Sequence, residues 1–94
     1  DKNSVRVLFC IIKSKMLQQK YSEAAVDLEN LFTDIDPTLT EAYILFGHCK
    51  FLLGQEEYEN AKNAYYKAIR IANLLGVELK DALLHQRIGS ILIQ

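Results

Sequence analysis

Few residues in this 94-residue chain could do chemistry, and their spacing does not bring them together. The histidines are His48 and His85, and the thiols are Cys10 and Cys49. Because His48 and Cys49 are adjacent, their side chains point to different sides of a helix, which argues against a shared zinc ion. Both cysteines lie in apolar helical patterns, so we expect buried, reduced thiols of an intracellular protein.

A metal site and a nucleophile are equally poorly supported. Glu56, Glu57 and Glu59 form an acidic turn, but they lack the oxygen-ligand spacing of a calcium loop, so a solvated connection is the simpler interpretation. Ser90 has no histidine placed by the sequence to activate it, and there is no glycine-rich phosphate loop. We therefore predict no catalytic residues, no metal, no cofactor and no enzymatic activity.

Composition and charge exclude further classes of function. Hydrophobic residues make up 50% of the chain, which is ample for a core, and 11 basic against 12 acidic side chains give a net charge of −1. This balance does not support a nucleic-acid or membrane partner, and no apolar run approaches the roughly 20 residues that span a bilayer. We expect a cytoplasmic protein and, because the chain begins at Asp1 rather than Met, a piece of a longer one.

Five helical patterns should position these residues. They cover about 4–19, 21–35, 38–53, 57–75 and 80–94. Pro37 should end the second helix, because proline disfavours α conformation in the residue before it. Thr38 and Glu41 match a capping box at the start of the third helix. Gly54 and Gly76 stand where left-handed caps would end the third and fourth helices.

Small and large residues alternate along the fourth helix. At steps of three and four the stripe reads Tyr58, Ala61, Tyr65, Ala68, Ala72 and Leu75. A second signal is Gly47 inside the third helix, where glycine costs about 1 kcal/mol relative to alanine. We expect a helix–helix contact there that is too tight for a side chain.

These residues resemble a tetratricopeptide repeat, a family whose helix pair is marked by aromatic, glycine and alanine positions. The matching residues are Tyr43, Phe46, Gly47, Gly54, Tyr58, Ala61, Tyr65 and Ala68. Tyr58 and Ala61 repeat Tyr21 and Ala24 after 37 residues, and Gly89 follows Gly47 by 42 residues, so the repeats resemble the extended type of about 40 residues.

The resemblance implies an all-α, right-handed superhelix of antiparallel helix pairs forming one domain over 1–94. Repeat one would cover 4–36, repeat two 37–77, and 79–94 would be the first helix of repeat three, which makes about two and a half repeats. The third repeat lacks its second helix. We therefore expect further repeats or another chain to cover the apolar face at Ile91, Leu92 and Ile93.

The resemblance also implies a scaffold whose concave groove, lined by the first helix of each repeat, binds a protein or peptide partner. We expect three helices to supply the groove residues. They are Phe9, Lys13, Glu41, Ile44, Leu45, His48, Leu52, Gln86, Arg87 and Ser90. The subclass that grips chaperone tails is matched only at Arg87, so an apolar, mixed-charge groove for an extended or helical peptide is favoured.

Two other functions remain open at this point. The repeats could be purely structural and pack within a large complex of cytoskeletal, motor or ciliary type. Separately, Leu45 and Leu52 could simply touch flanking helices instead of facing a groove. An RNA-binding helical repeat is a further alternative. The near-neutral charge disfavours it, because phosphate contacts need a basic face.

Overall fold

The computed structural model describes residues 2–79 and 81–93, without the side chains of residues 2 and 3. This part of the chain is helical and contains no strand. Its α-helices are α1 (Lys2–Leu17), α2 (Tyr21–Asn30), α3 (Thr40–Leu53), α4 (Tyr58–Leu75) and α5 (Ala82–Ile93). A π-helical segment, Leu31–Ile35, continues α2, and a 3₁₀ turn, Gln55–Glu57, leads into α4. The all-α prediction is confirmed, while the predicted limits of the fifth helix, Lys80 and Gln94, lie outside the described residues.

Each helix packs on the next one in the chain, and α3 lies between two apolar clusters. The first cluster joins α1, α2 and α3 through Ile12, Ala24, Ala25, Leu28, Leu31, Ala42 and Cys49. The second joins α3, α4 and α5 through Tyr43, Ile44, Ala61, Tyr65, Ala68, Ile71, Leu84, Ile88 and Ile91. Phe32, in the π-helical segment, packs against both clusters. The alanines of the α4 stripe are buried, as the sequence predicts, whereas Leu75, the last residue of the predicted stripe, is 56% exposed.

Helices α3 and α4 pack closely at Gly47. A Cβ atom built on Gly47 would lie 2.5 Å from Cε1 of Tyr65, closer than real Cβ contacts come. The predicted tight helix–helix contact is therefore confirmed, and its partner is an aromatic ring. Gly89 differs from its counterpart in the repeat pattern, because a Cβ atom there would meet nothing within 4 Å.

The turn between α2 and α3 ends one helix as predicted but starts the next one differently. Asp36, before the proline, has the extended conformation, with φ −152° and ψ 105°. The prediction of a capping box is wrong. Helix α3 begins at Thr40, and its N-cap residue, Leu39, makes no side-chain capping hydrogen bond. The Thr38 amide and hydroxyl instead donate to Oδ1 of Asp36, at 2.9 and 2.6 Å. This nearer carboxylate competes for the hydroxyl, and the two bonds lower the pKa of Asp36.

The two predicted glycine caps differ in conformation. Gly76 ends α4 with φ 70° and ψ 24°, which is the predicted left-handed cap. Gly54 ends α3 with φ 128° and ψ 175°, a region that glycine alone enters easily. The change of direction between α3 and α4 therefore depends on glycine, although its geometry is not that of a left-handed cap.

The two thiols differ in accessibility, so the prediction that both are buried is wrong for Cys10. Cys10 is exposed on α1 and Cys49 is buried in the first cluster, and neither forms a disulfide. Burial raises the pKa of Cys49 to about 11, although the charge of Lys50 acts in the opposite direction.

A maleimide reagent at neutral pH should therefore label one thiol per folded chain rapidly, and that thiol is Cys10. Cys49 should react only in denaturant, because the thiolate is the reactive species and burial suppresses both its formation and its exposure. Mass spectrometry of the labelled chain measures this. Cys10→Ser is the control and should leave the folded chain almost unlabelled, whereas equal rates at both thiols would contradict the burial of Cys49.

Candidate partner-binding surface

One face of α3 keeps apolar side chains at least partly exposed. With 3.6 residues per turn, Glu41, Leu45 and Leu52 fall on the same side of the helix. Glu41 is exposed, Leu52 is 42% exposed, and Leu45 is half-buried against the first cluster. We call these three residues the α3 stripe. It combines a carboxylate with two leucines that a partner could contact.

Helix α1 contributes a charged group and an aromatic ring beside the α3 stripe. Lys13 Nζ lies 3.0 Å from Oε1 of Glu41, and just over half of each side chain is exposed. Phe9 is half-buried against the first cluster. An exposed ion pair of this kind is worth only about 0.2–1 kcal/mol, so its main effect is to hold the two side chains together at the surface.

Helix α5 supplies the other three surface residues predicted from the sequence. Gln86 and Ser90 are exposed, and the Ser90 hydroxyl donates to the Gln86 carbonyl oxygen at 3.1 Å. Arg87 is half-buried, with its guanidinium carbon 5.0 Å from the ring centroid of Phe51 on α3. This cation–π contact ties α5 to α3.

Two of the predicted groove residues, Ile44 and His48, point into the protein. They are 8% and 7% exposed, and Ile44 belongs to the second cluster. Nδ1 of His48 lies 2.7 Å from the Tyr65 hydroxyl in a buried hydrogen bond, with the two rings edge-on. Their role is to pack α3 on α4. The other eight predicted residues remain at least partly accessible.

The His48–Tyr65 pair is uncharged at neutral pH. Burial lowers the pKa of His48 to about 4, the positive charge of Arg87 acts in the same direction, and Asp81 opposes both. Burial also raises the pKa of Tyr65 to about 12, against the hydrogen bond and charge of Arg87. A neutral imidazole joined to a neutral phenol satisfies both polar groups without burying a charge.

The described residues show neither a metal centre nor a membrane span. Over 2–79 and 81–93, no three His, Cys, Asp or Glu side chains group closely enough to hold a metal ion. Within the same ranges, no helix combines the length and the apolar character needed to cross a bilayer.

A cavity of about 670 Å³ lies on the other side of α3. Its walls come from the C-terminal end of α2 with the π-helical segment and from α4, and its floor comes from α3. We call it the α2–α4 groove. Its floor residues Tyr43, Phe46 and Lys50 lie on the face of α3 opposite the α3 stripe. The sequence analysis missed this groove; the available signal was the polar run Asn60, Asn63 and Lys67 at helical spacing on α4.

Comparison with known proteins found no family model, curated protein or solved structure that matches this chain. Its helices, packed in sequential order, define an all-α protein. Function must therefore be inferred from the arrangement of its own residues.

Proposed function

We propose that this chain is a non-catalytic protein–protein interaction module of tetratricopeptide type, which binds a partner peptide or helix along α1, α3 and α5. The observation that carries the proposal is the α3 stripe. The central helix already supplies side chains to both apolar clusters, yet Leu45 and Leu52 remain accessible on a further face.

The packing of successive helices supports the repeat assignment. Helices α1 and α2 pack together, as do α3 and α4, in the order that two helix pairs require. In the second pair, Gly47 of the first helix receives Tyr65 of the second, which is how a small residue allows a close helix–helix approach. The 37-residue spacing between Tyr21 and Tyr58 supports the same assignment.

Binding along this surface would be driven mainly by burial of the two leucines. Apolar area removed from water contributes about 25 cal/mol per Å², from which the cost of ordering the partner is subtracted. The Lys13–Glu41 pair, at 3.0 Å, presents one charge of each sign beside them. Such a pair selects orientation and register more than it adds affinity.

Replacing Leu52 with glutamate should weaken binding at least about tenfold, because a carboxylate placed in an apolar contact must lose its hydration. Peptides would first be selected on the 94-residue chain from a random displayed library, and their dissociation constants then measured for each variant by fluorescence anisotropy. Leu52 is replaced and not Leu45, because Leu45 also packs against the first cluster and its replacement would affect folding as well as binding.

The matched control is Leu74→Glu, which makes the same change at a side chain 80% exposed near the end of α4. Circular dichroism should show both variants folded, with binding intact only in the control. Peptides that bind the wild-type chain, Leu52→Glu and Leu74→Glu with equal affinity would contradict the assignment of the α3 stripe as the binding surface.

A structural role within a larger assembly is the second candidate, and one observation favours it. Apolar side chains are exposed around the end of α4 and on α5: Leu74, Leu75, Val77, Leu83, Leu92 and Ile93. Exposed apolar surface of this kind is typical of an interface. Sedimentation of the isolated chain distinguishes the candidates, because this role predicts self-association and no peptide binding at the α3 stripe.

A further inference from the structure

The α2–α4 groove is built from three helices whose lining residues recur at helical spacing. Its floor runs along α3 from Tyr43 to Lys50. Seven residues of helix rise about 10 Å, which is the length of about three extended residues. Asn60, Asn63 and Lys67 follow one edge of α4 beside this floor.

The floor is aromatic and partly open. The Phe32 ring stacks on Tyr43 with centroids 4.2 Å apart, and it packs edge-to-face with Phe46 at a centroid distance of 5.4 Å. Tyr43 is buried and donates its hydroxyl to the Pro37 carbonyl oxygen at 3.2 Å. Phe32 and Phe46 are half-buried, so each presents apolar surface to the cavity.

The end of the groove at Lys50 is neutralised within the chain. Lys50 Nζ lies 5.4 Å from the Phe46 ring centroid and 3.4 Å from Oε2 of Glu57. The same Glu57 oxygen accepts a hydrogen bond from Asn60 Nδ2 at 2.8 Å. A ligand carboxylate would gain little at this end, because a carboxylate is already present.

At the opposite end of the groove, the lysine is not neutralised by a carboxylate of the described residues. Lys67 Nζ lies 6.0 Å from the Tyr43 ring centroid, and within the part of the chain that the structure describes no carboxylate pairs with it. The neighbouring Asn63 amide and Thr33 hydroxyl line the same cavity. They too have no hydrogen-bond partner among the described side chains and backbone groups. This end offers one positive charge together with neutral donors and acceptors.

We propose that the α2–α4 groove binds an extended peptide segment of a partner protein that carries an acidic residue close to an apolar one. An apolar side chain of the segment packs on Phe32 and Phe46, and a carboxylate pairs with Lys67. An extended backbone leaves amide and carbonyl groups free for the Asn63 side chain, whereas a helical backbone has already satisfied its own. The positive charge of Lys67 is complementary to one carboxylate of the segment. Glu29 also lines the groove, so the complementarity is to a single acidic residue beside Lys67 and not to a run of acidic residues.

A nucleic acid fits this groove less well. Phosphate binding draws its affinity from several Lys or Arg contacts, and only Lys67 among the groove cations lacks a carboxylate partner in the described residues. This site is distinct from the surface of the proposed function, because its floor lies on the opposite face of α3. Two partner segments could occupy the two sites at once.

The test begins with a random library of 12-residue peptides displayed on phage and selected on the 94-residue chain. Each enriched peptide is then synthesised, and its affinity is measured by fluorescence anisotropy for the wild-type chain, Lys67→Glu and Arg70→Glu. Arg70 is exposed on the same helix but does not line the groove, so it receives an identical change of charge. Leu52→Glu reports on the other surface.

One class of enriched peptides should carry Asp or Glu beside an aromatic or aliphatic residue. Lys67→Glu should weaken this class about tenfold or more, because the reversal removes an attraction and adds a repulsion. Asn63→Asp should weaken it in the same way, whereas Arg70→Glu and Leu52→Glu should change its affinity less than about twofold. Circular dichroism confirms that each variant is folded.

Three outcomes would overturn the proposal. In the first, the selection returns no acidic class. In the second, Lys67→Glu and Arg70→Glu weaken that class equally, which would show non-specific attraction. In the third, a single-stranded uridine 12-mer displaces the peptides more effectively than an unlabelled copy of the peptide does, which would identify the groove as a nucleic-acid site.

Discussion

Replacing Gly47 with alanine should lower the free energy of unfolding by about 2 kcal/mol, although alanine is the better helix former. The new methyl group would lie 2.5 Å from Cε1 and 2.7 Å from Cδ1 of Tyr65. That ring is fully buried and held by its hydrogen bond to His48, so it cannot move aside cheaply. Overpacking at such a site costs about 3 kcal/mol, which exceeds the gain of about 1 kcal/mol in helix propensity.

The matched control is Gly89→Ala, which should raise the free energy of unfolding instead of lowering it. A Cβ atom at Gly89 meets nothing within 4 Å, so the propensity gain of up to about 1 kcal/mol stands alone. Urea denaturation of the wild-type chain and both variants measures the effects. If Gly47→Ala were also stabilising, the close packing of α3 on α4 would be contradicted. Combining Gly47→Ala with Tyr65→Ala should cost less than the sum of the two single changes, because they share one contact.

Acidification should destabilise the fold through His48. The pKa of its imidazole is 6.5 in the unfolded chain and about 4 in the folded one, because burial disfavours the charged form. Above pH 6.5 the group is neutral in both states, and its contribution is fully present. As the pH falls below 6.5 the unfolded chain binds a proton that the folded chain does not, so stability falls until about pH 4. At about 1.36 kcal/mol per unit, the full loss is about 3 kcal/mol.

Urea denaturation between pH 8 and pH 5 isolates this effect, with an expected loss of about 2 kcal/mol over that window. The lowered pKa values of Asp36 and Glu57 make their contributions disappear only near and below their ordinary values of 3.8 and 4.5. His48→Gln is the control, because glutamine can bond to Tyr65 but does not titrate. The free energy of unfolding of His48→Gln should depend less on pH than that of the wild-type chain. An equal dependence in the two chains would contradict the assignment to His48.

The helices could be predicted from the sequence because their signals are local. Apolar periodicity located all five patterns, Pro37 marked the end of the second, and Gly47 indicated a close contact before its partner was known. The start of α3 could not be predicted in the same way. Thr38 and Glu41 fit a capping box, but the Asp36 carboxylate lies two residues from Thr38 and takes its hydroxyl.

The candidate surface was predicted only in part, because burial depends on partners distant in sequence. His48 falls on a polar stripe with Glu41 and Gln55 at steps of seven, yet Tyr65, 17 residues away, satisfies its ring nitrogen and allows it to be buried. The α2–α4 groove was missed for the same reason. Its walls come from two helices separated by the whole of α3, and their separation is a tertiary property.

The position of Phe32 has a consequence for how the chain unfolds. Among the described residues, the two apolar clusters meet through α3 and through the Phe32 ring, which packs against both. Cooperativity between the N-terminal and C-terminal halves therefore passes through α3 and Phe32, and the outer helices α1 and α5, which pack less extensively on their neighbours, can open locally while the centre holds. Amide hydrogen exchange should be slowest in α3 and in the part of α4 that faces it.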